Sequence, residues 1–217
     1  MKTLALELST VRASIAWITD ITTPDSADEV GAFVTQLWEW PNDRKDSGTF
    51  FENLERTVQQ FGQPERILVG LGPGSYAGVR IAISAAIGLA AASNAELVGY
   101  PSVAAIAGGN SDYAVIGDAR RQSFFFVQIR QRTVVGDYEL HDEAGLKQRL
   151  EELPRDVPVF SSDLLPQFQP RVEQRYPSAE VLGQLAADTE FFRMPLEPIY
   201  LREAHVTIPK SVKKGAR

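Results

Sequence analysis

Arg66-Ile67-Leu68-Val69-Gly70-Leu71-Gly72-Pro73-Gly74-Ser75-Tyr76-Ala77-Gly78-Val79-Arg80 is the stretch whose reading decides the fold. It opens as an apolar run of strand length and breaks at glycine and proline. Helical apolar residues then continue to about Ser93, where Asn94 suits a left-handed C-cap. A buried strand turning through a glycine corner into a helix is the joint of an α/β lobe. Glycines permit positive φ and close backbone approach, and the first N–H groups of a helix point outward, which are the mechanics of an anion-binding turn. Gly72, Gly74 and Ser75 are therefore candidate phosphate contacts. The loop has no Walker lysine and fits neither G-x-x-x-x-G-K-[ST] nor G-x-G-x-x-G, so a tight strand-to-helix corner is the simpler competing reading.

The helix expected over 77–93 has an unusual pattern. Gly78, Ala82, Ala85, Leu89 and Ala92 trace one face, and Val79, Ile83, Ala86 and Ala90 another. Gly88 sits in its interior, at a cost of about 1 kcal/mol relative to alanine. Apolar residues nearly encircle the helix, so more than one side is expected to be covered. Either its own lobe encloses it or another chain completes one face, since monomers seldom leave such a patch in water. The pattern leaves both open. Arg80, among apolar neighbours, reads as an ion-pair partner at an interface.

Working outward, residues 3–8 and 13–18 read as strands joined by the turn Ser9-Thr10-Val11-Arg12, with a third strand from 32 to 40. Trp17, Trp38 and Trp40 share parity and are expected at a sheet–helix interface. Phe51, Leu54, Val58 and Phe61 then form a helical stripe, with Thr49 and Glu52 as a capping box and Gly62 and Pro64 as stop signals. Downstream come a strand over 96–100, a short helix near 103–107 and a hinge at 108–112. The second half repeats the pattern with strands at 113–118, 123–129 and 133–140 and a helix over 142–153. Two related lobes, 1–108 and 109–217, are expected, the second ending in a basic tail with Lys210, Lys213, Lys214 and Arg217. Phe124-Phe125-Phe126 reads as core on both faces of a strand.

Composition removes several function classes. The 217 residues are 44% apolar and 23% charged, as in globular proteins, and contain no cysteine, which excludes thiol nucleophiles, disulfides and thiolate metal sites. His141 and His205, the only histidines, are too far apart in sequence for a zincin pair. A net charge of −6 argues against a broad surface that grips nucleic acid unaided. Glu7 interrupts the first apolar run before it can act as a signal-peptide core, and no apolar stretch reaches the roughly 20 residues of a bilayer span. A cytoplasmic protein without membrane attachment is expected.

Leu4-Ala5-Leu6-Glu7-Leu8-Ser9-Thr10, Gly72-Pro73-Gly74-Ser75-Tyr76-Ala77-Gly78-Val79-Arg80-Ile81, Asp118-Ala119-Arg120-Arg121 and Pro198-Ile199-Tyr200-Leu201-Arg202 occur in the order and rough spacing of the TsaB (YeaZ) family, which the chain resembles over nearly its whole length. The Gly-Pro-Gly-Ser block is the specific part. The resemblance implies a two-lobed α/β fold of the actin, sugar kinase and Hsp70 type, ribonuclease H-like, with mixed sheets flanked by helices. It also implies a catalytically inactive relative of TsaD, with no cofactor or metal, that dimerises in isolation or pairs with TsaD through helices of the first lobe. TsaD would transfer threonylcarbamoyl to adenosine in tRNA, a TsaE-type ATPase would reset the complex, and this chain would meet tRNA only through it. By that carry-over Phe51, Leu54, Tyr76, Val79, Arg80, Ala82, Ile83, Ala85, Ala86 and Leu89 form the partner surface. The chain departs from the family at Glu7-Leu8-Ser9-Thr10, where Asp-Thr-Ser-Thr is usual, and at Ala77, where threonine is common.

A different class also stays open, an ATP-dependent phosphotransferase or ATPase, because the same fold hosts kinases. Glu7 and Asp118 each end an opening strand and would face a cleft, binding Mg²⁺ through water, with Ser9, Thr10, Gly72, Gly74 and Ser75 around the nucleotide. Their simpler reading is turn-capping acids. The metallopeptidase label carried by some TsaD relatives is a third reading, and the histidine spacing counsels against it.

Overall fold

On β1 (Lys2–Glu7), Leu4 and Leu6 face one side, Ala5 faces the other, and all three are fully buried. A strand apolar on both faces belongs inside a sheet covered above and below. The computed structural model of the chain, which describes residues 1–22, 30–42, 47–106, 111–188 and 196–202, places it there. β1 pairs antiparallel with β2 (Arg12–Thr22), Leu4 opposite Trp17, and parallel with β4 (Arg66–Gly70), Leu4 opposite Ile67. With β3 (Val30–Pro41) and β5 (Glu96–Tyr100) at the edges, the order is β3-β2-β1-β4-β5, and only β2 is reversed.

The second sheet has the same plan. Its order is β10-β9-β6-β7-β8, from β6 (Tyr113–Asp118), β7 (Phe124–Arg130), β8 (Thr133–His141), β9 (Val159–Ser161) and β10 (Glu173–Gln174). β7 alone is antiparallel to its neighbours. Counted from its own first strand, this sheet also runs three-two-one-four-five. The repeat suspected from sequence pattern is thus a repeat of topology, and the fold is the expected two-lobed α/β class with two mixed sheets flanked by helices.

Helices α1 (Gly48–Phe61) and α2 (Tyr76–Ser93) cover the face of the first sheet that carries Leu4, Leu6, Ile15, Trp17, Ile67 and Val69. Trp17 stacks on Phe61 with ring centroids 5.4 Å apart. In the second lobe, α3 (Glu143–Glu152) sets Leu146 and Leu150 against Phe124 and Phe126. Phe125 joins the opposite face with Val127 and Phe160, so the phenylalanine triplet is core on both sides.

Four expectations need correction. Residues 109–217 are not all second lobe, because α4 (Ala179–Asp188) returns to the first sheet, where Leu182 and Leu185 pack with Ala5, Ala16, Ile18 and Leu68. The Ala179 N–H donates to Ser14 Oγ at 2.9 Å across that junction. The capping box does not form: α1 begins at Gly48, Thr49 lies inside the helix, and the Ser47 side chain makes no cap bond. The core-facing edge of α1 is Phe50, Leu54, Thr57 and Phe61, so Leu54 and Phe61 of the stripe read in sequence pack inward while Phe51 turns to solvent and Phe50 takes its place. The short helix after β5 is a 3-10 turn, Ser102–Ala105. The hinge at 108–112 falls mostly outside the described residues, and the basic tail and His205 fall wholly outside them.

Leu182 is fully buried in an element that reaches the first sheet from the far end of the chain. Leu182→Ala is expected to lower unfolding stability by about 2–5 kcal/mol, read as a drop in the urea midpoint at unchanged slope.

Candidate functional site

The turn between β1 and β2 lies directly on the glycine corner. A Cβ on Gly74 would stand 2.1 Å from the Ser9 carbonyl oxygen, and one on Gly78 2.2 Å from that of Leu8. Only glycine leaves room for this crossing. Gly72, at φ +88, makes the turn itself. The corner is then fastened by hydrogen bonds: Ser75 N–H to Ser9 O at 2.6 Å, Gly72 N–H to Ser102 Oγ at 2.9 Å and Gly78 N–H to Ser75 Oγ at 3.2 Å. Ser75 is the N-cap of α2 and Asn94, at φ 57, its left-handed C-cap. The N–H groups of Gly72, Ser75 and Gly78, which an anion would need, already have internal acceptors, in line with the tight-corner reading.

Glu7 does not face a cleft, which corrects the expectation that it and Asp118 share one. Its side chain is fully buried beneath the turn, and Oε1 accepts the Ser9 N–H at 2.7 Å. Oε2 lies against Gly70, where a Cβ would clash with it. Burial raises the carboxyl above its ordinary 4.5; the Ser9 and Ser102 hydroxyls and the Ser9 N–H oppose that rise without cancelling it. A buried carboxyl bound to its own turn is not placed to hold a cation in water.

A cleft does lie between the lobes, with a volume of ≈ 230 Å³. Ser9, Thr10, Gly74, Ser75, Asp118 and Arg202 are among the residues that line it. Asp118 accepts the Arg120 N–H at 2.7 Å and Arg120 Nη1 at 3.0 Å, while its own N–H donates to Asp163 Oδ2 at 2.8 Å. Arg120 and Arg121 stand in left-handed backbone, at φ 67 and 56. Asp163 and Ser162, also on the cleft wall, were missed in the sequence because nothing in the 154–178 stretch marks the short strand β9 that brings them there. The volume is below the roughly 300–1,000 Å³ of ordinary small-molecule pockets. With Glu7 absent and Asp118 held by Arg120, these residues do not fit a Mg²⁺-nucleotide site. Among the described residues there is no group of three histidine, aspartate or glutamate side chains placed to hold a metal; His141 sits 2.9 Å from Glu139 on β8.

The ten candidate interface residues divide by helix face. Val79, Ala82, Ile83 and Ala86 are buried in the lobe's own core with Gly78 and Ala90, so they are not available to a partner. Ala85, Leu89 and Leu54 are half-buried, and Phe51, Tyr76 and Arg80 are exposed. The open face of α2 carries Tyr76, Arg80, Ser84, Ile87 and Ala91, with Ile87 50% exposed. By length and composition alone α2, at 18 residues, is apolar enough to cross a membrane. Its inward face nevertheless packs on the sheet, as a helix of a layered α/β lobe does.

Comparison with known proteins places this geometry among relatives. The family described as TsaD: tRNA N6-adenosine threonylcarbamoyltransferase matches residues 51–148. No curated protein sequence matches the chain. Among solved structures, an uncharacterized Pseudomonas aeruginosa protein with similarity to peptidase YeaZ is 22% identical, covers 93% of this chain and 99% of its own, and superposes with a TM-score of 0.65. YeaZ from Pseudomonas aeruginosa is 21% identical, covers 92% and 99%, and gives 0.64. The resemblance carried by the sequence motifs is thus matched by a shared fold along nearly the whole chain.

The raised pKa of Glu7 makes stability depend on pH with a definite sign. The folded carboxyl holds its proton at pH values where the unfolded one has lost it, so its contribution is favourable below the ordinary 4.5 and is lost as pH rises through the folded value. Glu7→Gln, which keeps the acceptor for Ser9 N–H, is expected to gain stability over the parent progressively above that pH. Urea unfolding at pH 5 and pH 8 reads the difference.

Proposed function

We propose that this chain is a TsaB-type subunit of a tRNA threonylcarbamoyladenosine-forming system, one that performs no chemistry and holds a TsaD-type catalytic subunit through the open faces of α2 and α1. The observation that carries the reading is the two-sided use of α2. Its inward residues complete the chain's own core, while its outward residues form a stripe of small and apolar side chains, with Ile87 half in water. A stable monomer gains nothing from exposing such a stripe. The near full-length likeness in fold to YeaZ and the match of residues 51–148 to the TsaD family support the choice of system.

The cleft supports the absence of catalysis in this reading. Its one strand-end acid, Asp118, is paired with Arg120, and Glu7 is sealed under the first turn. A TsaE-type ATPase, contact with tRNA only through the assembled complex, homodimerisation in isolation and a cytoplasmic site belong to the same proposal. Nothing in the geometry favours the phosphotransferase alternative over it.

The test uses the exposed face, since a charge at buried Ala82 would break the lobe rather than probe an interface. Ile87→Glu is expected to abolish co-purification with a TsaD-type subunit and to shift the Tm of the isolated chain by no more than about 2 °C. Retention of the complex by this variant would place the interface elsewhere.

A further inference from the structure

Tyr76, Arg80, Ser84, Ile87 and Ala91 follow one another at intervals of three or four and form a single line along the outside of α2. Arg80 is the only charged residue in the helix. Its Nη1 donates to Tyr76 Oη at 3.0 Å and to Tyr200 Oη at 3.3 Å. The guanidinium carbon stands 5.0 Å from the centroid of the Tyr76 ring, and the two tyrosine rings lie 5.7 Å apart. Both rings are more than half exposed, at 61% and 52%. Tyr200 belongs to the 196–202 segment, which is tied to the corner by the Ile199 N–H donating to Leu71 O at 2.8 Å. The guanidinium is therefore fixed in position by side chains from two distant parts of the chain.

Only Nη1 is taken up by the tyrosines. Nη2 and Nε make no side-chain hydrogen bond among the described residues, and Arg80 has no carboxylate partner there. A guanidinium has five donors in a planar fork, suited to a bidentate acceptor. If the stripe is covered by a partner, this cation is removed from water, and a buried cation left unpaired is strongly unfavourable. Tyrosine and arginine are also the residue types in which interface binding energy concentrates.

We infer that the Tyr76–Arg80–Tyr200 cluster is the polar anchor of the α2 interface, and that it takes a carboxylate side chain of the partner protein. The inference rests on the docking reading above and adds to it the chemistry the partner presents and the role of the 196–202 segment, whose Tyr200 holds the guanidinium for that contact. An RNA phosphate is the other anion of suitable shape. It is disfavoured because the rest of the stripe, Ser84, Ile87 and Ala91, is neutral and the chain as a whole carries −6.

The experiment is titration calorimetry of the full chain with a TsaD-type subunit at low and at high salt, with Ile87→Glu as the control for docking itself. Arg80→Met is expected to weaken the Kd by about thirtyfold or more and to flatten its salt dependence. Tyr200→Phe, which keeps the ring and loses the hydroxyl, is expected to give a smaller loss of the same kind. The Tm of each isolated variant should stay near the parent's, which a merely structural role would not predict. If Ile87→Glu abolishes binding while Arg80→Met binds within twofold of the parent, the anchor is overturned and the docking reading stands. Should the parent chain fail to bind the subunit, both fall together. Labelled tRNA retained by the isolated chain and released by Arg80→Met would assign the cluster to RNA and overturn the carboxylate.

Discussion

The carbonyl oxygens of Leu8 and Ser9 occupy the space that Cβ atoms of Gly74 and Gly78 would need, and the rest of the first lobe is organised around that crossing. The β1–β2 turn must pass over the start of α2 at backbone distance for β1 to lie between β2 and β4. Once it does, Ser75 N–H reaches Ser9 O and the helix leaves the corner at a fixed angle. That angle lays Val79, Ala82, Ile83 and Ala86 on the sheet and leaves Tyr76, Arg80 and Ile87 outside. One steric requirement thus sets which half of the helix is core and which half is surface.

The same crossing explains why Glu7 does not reach the cleft. Glu7 ends β1 immediately before the turn, and its carboxylate folds back under it to accept the Ser9 N–H. A carboxyl enclosed in this way has lost the water its charged form needs and faces its own turn, not the cleft. Asp118 occupies the equivalent place in the second lobe but is drawn to the backbone and guanidinium of Arg120. Two strand-end acids in topologically equivalent positions are both used in local structure.

The lobes are joined by more than their linker. α4 crosses from the second half to cover the first sheet's second face, and the 196–202 segment then comes to the corner, where Ile199 bonds to Leu71 and Tyr200 meets Arg80. Residues from late in the sequence therefore complete both the core and the outward face of the first lobe. Val103 and Ile106, from the first half, pack in turn with Phe125 and Phe160 of the second.

Local chemistry made much of this legible in the sequence. The run Ile67–Val69, the glycine corner, the Asn94 cap and the apolar run of β1 depend on backbone conformation and on neighbours within a few residues, so they specify strand, corner and helix directly. The near-encirclement of α2 by apolar residues was equally visible, and the structure covers one side of it with the chain's own sheet. Which face turns inward was not decided there, because Ala82 and Ala85 are identical in chemistry and only the sheet distinguishes them. The burial of Glu7, the return of α4 and the meeting of Tyr76 with Tyr200 likewise depend on contacts between residues far apart in the chain. Such contacts arise from the direction in which each element leaves its turn, and that direction exists only when the whole sheet is assembled.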